Sequence, residues 1–360
     1  MGRLQVAAVD CDPVADAEPQ ALGVTYWFDA APEGERYRAA VHFVGHRLGV
    51  EGIPGPRDSF TVSETVEHVP PGCGRIAITS RIVDIAPGEW RVTARLDDSG
   101  LSGPAFGRGE VSGSGATGFL PVLGVRAPGT HLGAWPALVG AGVAVALALQ
   151  TRLAAHAHLP AGRVLLVSLL ACLAGLLGAR IYYIAQHEVR SLARPRALLG
   201  AGMCVQGFVI SAVATATLAA IANRIPAGVF LNGTAPALLI GMCIGRLGCF
   251  FGGCCAGRPT ASRWGVWSSD RRLGMRRIPT QLLESALCLA LAAGAFAAGH
   301  SSAVRPPGAV FVGAIASYIL GRQLLLPLRD LPRTTSYGRL VATAVSATVV
   351  LAELVAVTFI

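Results

Sequence analysis

The chain has 360 residues, 52% of them hydrophobic and only 14% charged, with a mean hydropathy of +0.54. This composition excludes an ordinary water-soluble globular protein and points to a membrane protein. The net charge of +9 is unevenly placed: residues 1–127 hold 11 Arg against 16 acids, residues 128–360 hold 19 Arg against five, and no lysine occurs. A basic membrane part fits anionic lipid headgroups better than nucleic acid, so no nucleic-acid partner is expected.

The start, "MGRLQVAAVDCDPVADAEPQ", has no apolar stretch and carries acids early, which does not read as a signal peptide. Residues 21–97 then alternate with period two, as half-buried strands do. In "GVTYWFDA" Val24, Tyr26 and Phe28 share a face, and in "GEWRVTARLD" Trp90, Val92, Ala94 and Leu96 do. Strands at regular spacing without intervening helices predict a small all-β sandwich over 1–97, with the immunoglobulin-like arrangement as one form of it. The stretch "DSGLSGPAFGRGEVSGSGATG" reads as part of a linker over 98–130.

Residues 131–360 predict a polytopic all-α membrane domain of seven transmembrane helices, near 132–150, 164–184, 203–222, 228–252, 281–299, 308–328 and 339–360. The second, fourth and sixth carry Arg180, Arg246 and Arg322. An Arg near a helix centre costs a few kcal/mol or more unless it faces a wet, protein-lined cavity. A shared polar pocket is the economical reading; snorkelling from helix ends is the alternative.

The fourth span ends in "GMCIGRLGCFFGGCCAGRPT", residues 241–260. Gly245, Gly248, Gly252 and Gly253 let backbones approach closely or let the chain leave the helix and expose N–H groups. Either arrangement builds a niche around Arg246, and phosphate suits a guanidinium, which binds it bidentately. Cys254 and Cys255 read as nucleophiles or as small core residues. No cysteine spacing matches a zinc module, so neither a metal nor a cofactor is expected. Three further stretches support a site. "GARIYYI" sets Arg180 and Tyr183 nearly one turn apart, and "IPTQLLES" sets Gln281 and Glu284 at i, i+3. "SYILGRQLLLPLRD" sets Tyr318 and Arg322 on one helical face, with Arg329 two turns along. Glu284 reads equally as a helix-entry carboxylate near the positive end of the dipole.

"GARIYYI", "LLGAGMCVQGFVIS", "GRLGCFFGGCCAGRP", "IPTQLLES" and "SYILGRQ" occur in an order and spacing that resemble the prolipoprotein diacylglyceryl transferase family over about residues 131–335. The resemblance implies a seven-helix enzyme of the bacterial cytoplasmic (inner) membrane. Such an enzyme moves the diacylglyceryl group of phosphatidylglycerol, or another anionic phospholipid, onto the lipobox cysteine of a preprolipoprotein. It implies that Arg246 grips the lipid phosphate or glycerol, that Arg322 is the second essential arginine, and that Gln281 and Glu284 form the Pro-x-Gln-x-x-Glu element. The catalytic set expected is thus Arg246, Arg322, Gln206 and Glu284. The headgroup set is Arg246, Gly248, Gly253, Tyr318, Arg180, Tyr183 and Gln281.

Three positions depart from the family pattern. Gln206 stands where the family carries the histidine of His-Gly-Gly, Gly252 replaces an Asn, and Ile278 replaces a second His. A glutamine cannot take a proton, so the general base is the part most altered. Two other function classes fit the intramembrane arginines: a non-catalytic binder of anionic lipid, and a small-anion channel or transporter. A cavity open sideways to lipid favours transfer or lipid binding, whereas a through-pore favours the channel. Loop arginines follow mainly helices two, four and six, and the positive-inside rule places that side, with the β region, in the cytoplasm. The resemblance implies the reverse orientation, and site arginines distort such a count.

Overall fold

The computed structural model describes residues 2–7, 17–97, 109–187, 204–300, 306–330 and 337–359, with strands in the front of the chain and long helices behind. The strands are β1 (Arg3–Val6), β2 (Gln20–Asp29), β3 (Tyr37–Arg47), β4 (Ser59–Val69), β5 (Arg75–Ile82), β6 (Glu89–Asp97), β7 (Val111–Ala116), β8 (Gly118–Phe119), β9 (Val266–Ser269) and β10 (Leu273–Arg277). The long helices are α1 (Ala134–His156), α2 (Ala161–His187), α3 (Val205–Ala222), α4 (Ala227–Phe251), α5 (Thr280–His300), α6 (Ala309–Leu325) and α7 (Gly338–Phe359). The chain divides into two compact units: residues 1–138, 245–285 and 325–334 form the first, and 139–244, 286–324 and 335–360 the second.

In the first unit, one sheet runs β1-β2-β5-β10-β9, with β8 also on β2, and the other runs β4-β3-β6-β7. All pairs are antiparallel. The period-two pattern explains the core: Val24, Tyr26 and Phe28 of β2 meet Val41 and Phe43 of β3, Ile76 and Ile78 of β5, and Trp90, Val92 and Ala94 of β6 in one buried cluster. The Trp90 indole is fully buried and donates to the Ala86 carbonyl at 3.2 Å, so its one polar atom is satisfied.

Two stretches fold differently from their sequence expectation. Residues 98–108 of the expected linker lie outside the described residues, but Val111–Ala116 pairs along β6 as a strand. Its glycines are there for space. A Cβ on Gly115 would sit 2.6 Å from Val6 Cγ1, and one on Gly113 would sit 3.3 Å from Leu4 Cδ2. Close backbone approach and flexible linkers select the same residue type. The second stretch is the arginine-rich loop expected between the fourth and fifth spans, which forms the β9–β10 hairpin and extends the first sheet. Asp270 caps its turn by accepting from the Arg272 and Leu273 amides at 3.0 and 2.6 Å, and Arg271 takes φ 77°. Trp267 stacks on Trp27 at 5.6 Å and donates to the Arg75 carbonyl at 2.9 Å.

In the second unit, helices approach through small residues, as membrane helices do. A Cβ on Gly142 of α1 would lie 2.6 Å from the Gly241 carbonyl of α4, and one on Gly207 of α3 would strike the Gly178 carbonyl of α2. A polar relay fixes α1 between its neighbours: Ser168 Oγ donates to Gln150 Oε1 at 2.7 Å, and Gln150 Nε2 donates to Thr234 Oγ1 at 2.6 Å. Among the described residues, five helices are long and apolar enough to cross a membrane: Ala134–His156, Ala161–Gln186, Ala227–Phe251, Thr280–His300 and Ala309–Leu328. Gln206–Ala222 is apolar but shorter, and α7 is helical over its 22 residues.

Met275 of β10 is fully buried in the β core. Met275→Ala is expected to destabilise the protein by about 2–5 kcal/mol. Thermal unfolding of the full-length protein in detergent checks this, and an unchanged transition would detach the hairpin from the core.

Candidate functional site

Helix α4 ends at Phe251, and the chain leaves it through two left-handed residues, Gly253 (φ 64°) and Cys255 (φ 56°). The segment beyond is pinned on both sides. Arg258 donates its amide to the Leu328 carbonyl at 2.8 Å, and Asp330 donates to the Ala256 carbonyl at 3.0 Å. On the other side Ile278 donates to the Arg258 carbonyl at 3.0 Å. The first turn of α5 completes the frame: Gln281 Nε2 donates to the Cys254 carbonyl at 3.0 Å, and Thr280 Oγ1 to the Cys255 carbonyl at 3.3 Å.

Within this frame, Glu284 of α5 has no solvent exposure and holds a guanidinium on each oxygen. Arg246 Nη2 lies 2.6 Å from Glu284 Oε1, and Arg329 Nη2 pairs with Glu284 Oε2. The Arg329 side chain is 4% exposed and that of Arg246 16%. Among the described residues the triad brings two guanidiniums to one carboxylate, with the Cys255 sulfur beside it. Arg329 Nε and Gln281 Oε1 are buried and make no hydrogen bond among the described residues. Buried polar atoms nearly always have a partner, so both suit a polar ligand. A second buried cation braces the frame: Arg277 donates to Asp330 Oδ2 and Asp270 Oδ2, each at 2.8 Å, and to the Gly257 carbonyl at 3.1 Å.

Three thiols adjoin the triad. The sulfurs of Cys249, Cys254 and Cys255 all lie within 4.8 Å of one another, and Arg246 Nη1 is 3.9 Å from Cys249 Sγ. Hydrogen bonds from the Cys249 and Cys254 thiols, then the charges of Arg329 and Arg246, hold Cys255 far below the usual thiol range. Cys254 is pushed up by its hydrogen bonds with the Cys249 and Cys255 sulfurs.

The structure gathers some of the sequence-expected residues and leaves others apart. Arg246, Gly248, Gly253, Gln281 and Glu284 lie in the first unit. The glycines there serve close packing: a Cβ on Gly248 would lie 3.2 Å from Leu138 Cβ, and one on Gly253 would lie 2.5 Å from Thr130 Cγ2. Arg180, Tyr183, Gln206, Tyr318 and Arg322 lie in the second unit. There the Arg180 guanidinium sits 5.5 Å from the Tyr183 ring centroid, and Arg322 Nη1 donates to Tyr318 Oη at 3.1 Å. Gln206 stands at the start of α3, where its Oε1 accepts from Cys204 Sγ at 2.6 Å.

Arg329 does not continue the face of Arg322. Helix α6 stops at Leu325, a 3-10 turn over Leu326–Leu328 redirects the chain, and Arg329 enters the first unit. Pro327 inside "LLLPLRD" is the signal for that break. The Asp270–Arg277–Asp330 brace had no sequence signal, because its members come together only through the hairpin. A cavity of about 410 Å³ on the β region is lined by Arg81, Arg126, Arg271, Arg272 and Glu64, and none of the triad residues borders it.

Several membrane-length helices and a buried Arg–Glu–Arg cluster define a multi-pass membrane protein with a charged cluster at the ends of its helices. The sequence profile of the prolipoprotein diacylglyceryl transferase family matches residues 125–359, and the chain belongs to that family. The phosphatidylglycerol–prolipoprotein diacylglyceryl transferase of Clostridium tetani is 25% identical over 210 residues, 57% of this chain and 84% of that protein. The protein of the same name from Dehalococcoides mccartyi is 28% identical over 164 residues, 44% and 62% of the two chains. The one from a Nostoc species is 30% identical over 168 residues, 42% and 58%. This chain therefore spans less than two thirds of the latter two relatives, and strands β1 to β8 precede the family match.

Removing the shared carboxylate strands two buried cations, whereas removing either arginine leaves Glu284 one partner. Glu284→Gln is expected to cost about 3–5 kcal/mol of stability, more than Arg246→Gln or Arg329→Gln. Thermal unfolding of the three variants in detergent checks the order. Equal losses would mean that the carboxylate is not the shared element.

Proposed function

We propose that this protein transfers the diacylglyceryl group of phosphatidylglycerol to the lipobox cysteine of a prolipoprotein, in a bacterial cytoplasmic membrane. The observation that carries this reading is Arg329 Nε, a buried donor that has no hydrogen-bond partner among the described residues, within the Arg246–Glu284–Arg329 cluster. A phosphate accepts from such a guanidinium edge, and two arginines to one carboxylate favour an anion there. In the reaction, the acceptor sulfur forms a bond to the terminal glyceryl carbon, and the bond from that carbon to the phosphate oxygen breaks. Diacylglyceryl thioether and glycerol phosphate leave. The thiol proton ends on the departing phosphate, whose second pKa is about 6. The protein then has two tasks: to hold donor and thiol in line, and to neutralise the charge that develops on the leaving group.

In this reading Arg246 and Arg329 hold the phosphate, and Glu284 fixes both guanidiniums. By the family resemblance, Arg322, with Tyr318, is taken as the second essential arginine, and Gln281, Arg180 and Tyr183 as headgroup-binding residues. Gln206 replaces the family base, which favours a second reading: a relative that binds anionic lipid without transferring it. The β domain, which we take to end with β8 and to include the β9–β10 hairpin, is read as immunoglobulin-like. What supports that reading is two antiparallel sheets that include the orders β1-β2-β5 and β4-β3-β6-β7. We place it outside the cytoplasm, where it recruits the acceptor protein.

The test is transfer from radiolabelled phosphatidylglycerol in vesicles to a lipobox peptide by the purified protein, alongside growth rescue of a strain depleted of the transferase. Thioether product is expected, with Arg246→Gln and Arg322→Gln lowering the rate by about 10² or more and Gln206→His raising it. Lipid binding without product in wild type and Gln206→His alike would establish the second reading. Absence of both binding and product would refute both.

A further inference from the structure

The three-thiol cluster is not used by the reaction above, and its construction is more elaborate than a core filler requires. Cys249 is on the last turn of α4, and Cys254 and Cys255 follow after the chain doubles back. The Cys254 amide donates to the Cys249 carbonyl at 3.0 Å, which closes that loop. Cys255 sits at φ 56°, a conformation that costs a non-glycine residue about 1–2 kcal/mol. Gly253 and Gly257 flank it, and a glycine at 255 would adopt that angle without the cost. What the strained residue supplies is a sulfur beside two others. Gln281 and Thr280 hold the backbone carbonyls of residues 254 and 255, so the thiols are mounted on a fixed frame.

We propose that Cys249, Cys254 and Cys255 form a binding site for a single soft, thiophilic metal ion of the Cu(I) class. A trigonal ion with metal–sulfur bonds of about 2.3 Å needs sulfurs about 4 Å apart. The three sulfurs lie within 4.8 Å of one another, so small side-chain rotations complete the triangle. Among the described residues no other group of three or more His, Cys, Asp or Glu side chains is placed to hold a metal. The nearby carboxylate, Glu284, has both oxygens engaged by Arg246 and Arg329, so the site offers sulfur alone. All-sulfur three-coordination suits Cu(I), whereas structural Zn(II) takes four protein ligands in a tetrahedron. Cys249 is buried and Cys254 and Cys255 are half-buried, which leaves the ion a way in. Binding is ligand exchange: sulfur–metal bonds form, the thiol protons pass to solvent, and no oxidant or reductant is consumed. This inference does not depend on the lipid-transfer reading.

The experiment uses the full-length protein in detergent, fully reduced and anaerobic. It is titrated with Cu(I) against a chromophoric Cu(I) chelator, and separately with Zn(II). One equivalent of Cu(I) held in competition with the chelator is expected, with Zn(II) held more weakly. Cys254→Ser and Cys255→Ser should each lower Cu(I) affinity by about tenfold or more, and Cys172→Ser, in the other compact unit, should not. X-ray absorption at the copper edge of the wild-type protein should show three sulfur neighbours, a readout that stands even where a serine variant fails to fold. The proposal is overturned by Cu(I) affinity that the serine replacements leave unchanged, by fewer than three sulfur neighbours, or by Zn(II) binding as tight as Cu(I).

Discussion

The site depends on one electrostatic constraint: a carboxylate with no solvent exposure must keep two guanidiniums beside it. Glu284 alone in that environment would be expelled or neutralised, and either arginine alone would carry an uncompensated charge. Together they tolerate burial, and they tie three remote stretches of sequence to one point: the end of α4, the start of α5 and the turn after α6. In the proposed function the arrangement that satisfies folding also holds the lipid phosphate, so that structure and affinity would rest on the same three side chains.

The β region takes part in building this point. Strand β10 pairs with β5 through Leu273 and Gly274 and buries Met275 in the β core, and it ends in Arg277, three residues before α5 begins. Arg277 is fully buried and clasps Asp330, the residue after Arg329. Sheet register is thus transmitted along five residues to the position of a site arginine. A slip of one residue in β10 would turn Met275 out of the core and Arg277 away from Asp330. The β domain is in this sense part of the site's scaffold, whatever partner its outer surface meets.

Much of this was legible in the sequence because it rests on local periodicity. The alternation in β2 and β6 gave the core faces, since the strand period leaves no other way to bury Tyr26 and Trp90. Arg246 and Glu284 stood out because charge in an apolar run needs a partner. Arg329 was misplaced: counting turns from Arg322 assumes an unbroken helix, and the proline-bearing turn over Leu326–Leu328 ends it. The β9–β10 hairpin was hidden by its arginines, which read as a solvated loop although Arg277 is buried against Asp270 of the hairpin's own turn and Asp330 from beyond α6. The glycines around Arg246 stand out in the sequence, but composition does not say whether they face a ligand or, as the packing against Leu138 and Thr130 has it, neighbouring side chains.

The central claim is that the Arg246–Glu284–Arg329 cluster serves both folding and anion binding, and one variant separates the two roles. Replacing the whole cluster, Arg246→Met with Glu284→Leu and Arg329→Met, removes its three charges at once. Apolar replacement of a buried ionic triad is often neutral or stabilising, unlike removal of one member. Thermal unfolding and phosphatidylglycerol binding should be measured on this triple variant beside Glu284→Gln. The account predicts a triple variant at least as stable as wild type that has lost lipid binding. A triple variant that still binds phosphatidylglycerol, or one no more stable than Glu284→Gln, would contradict it.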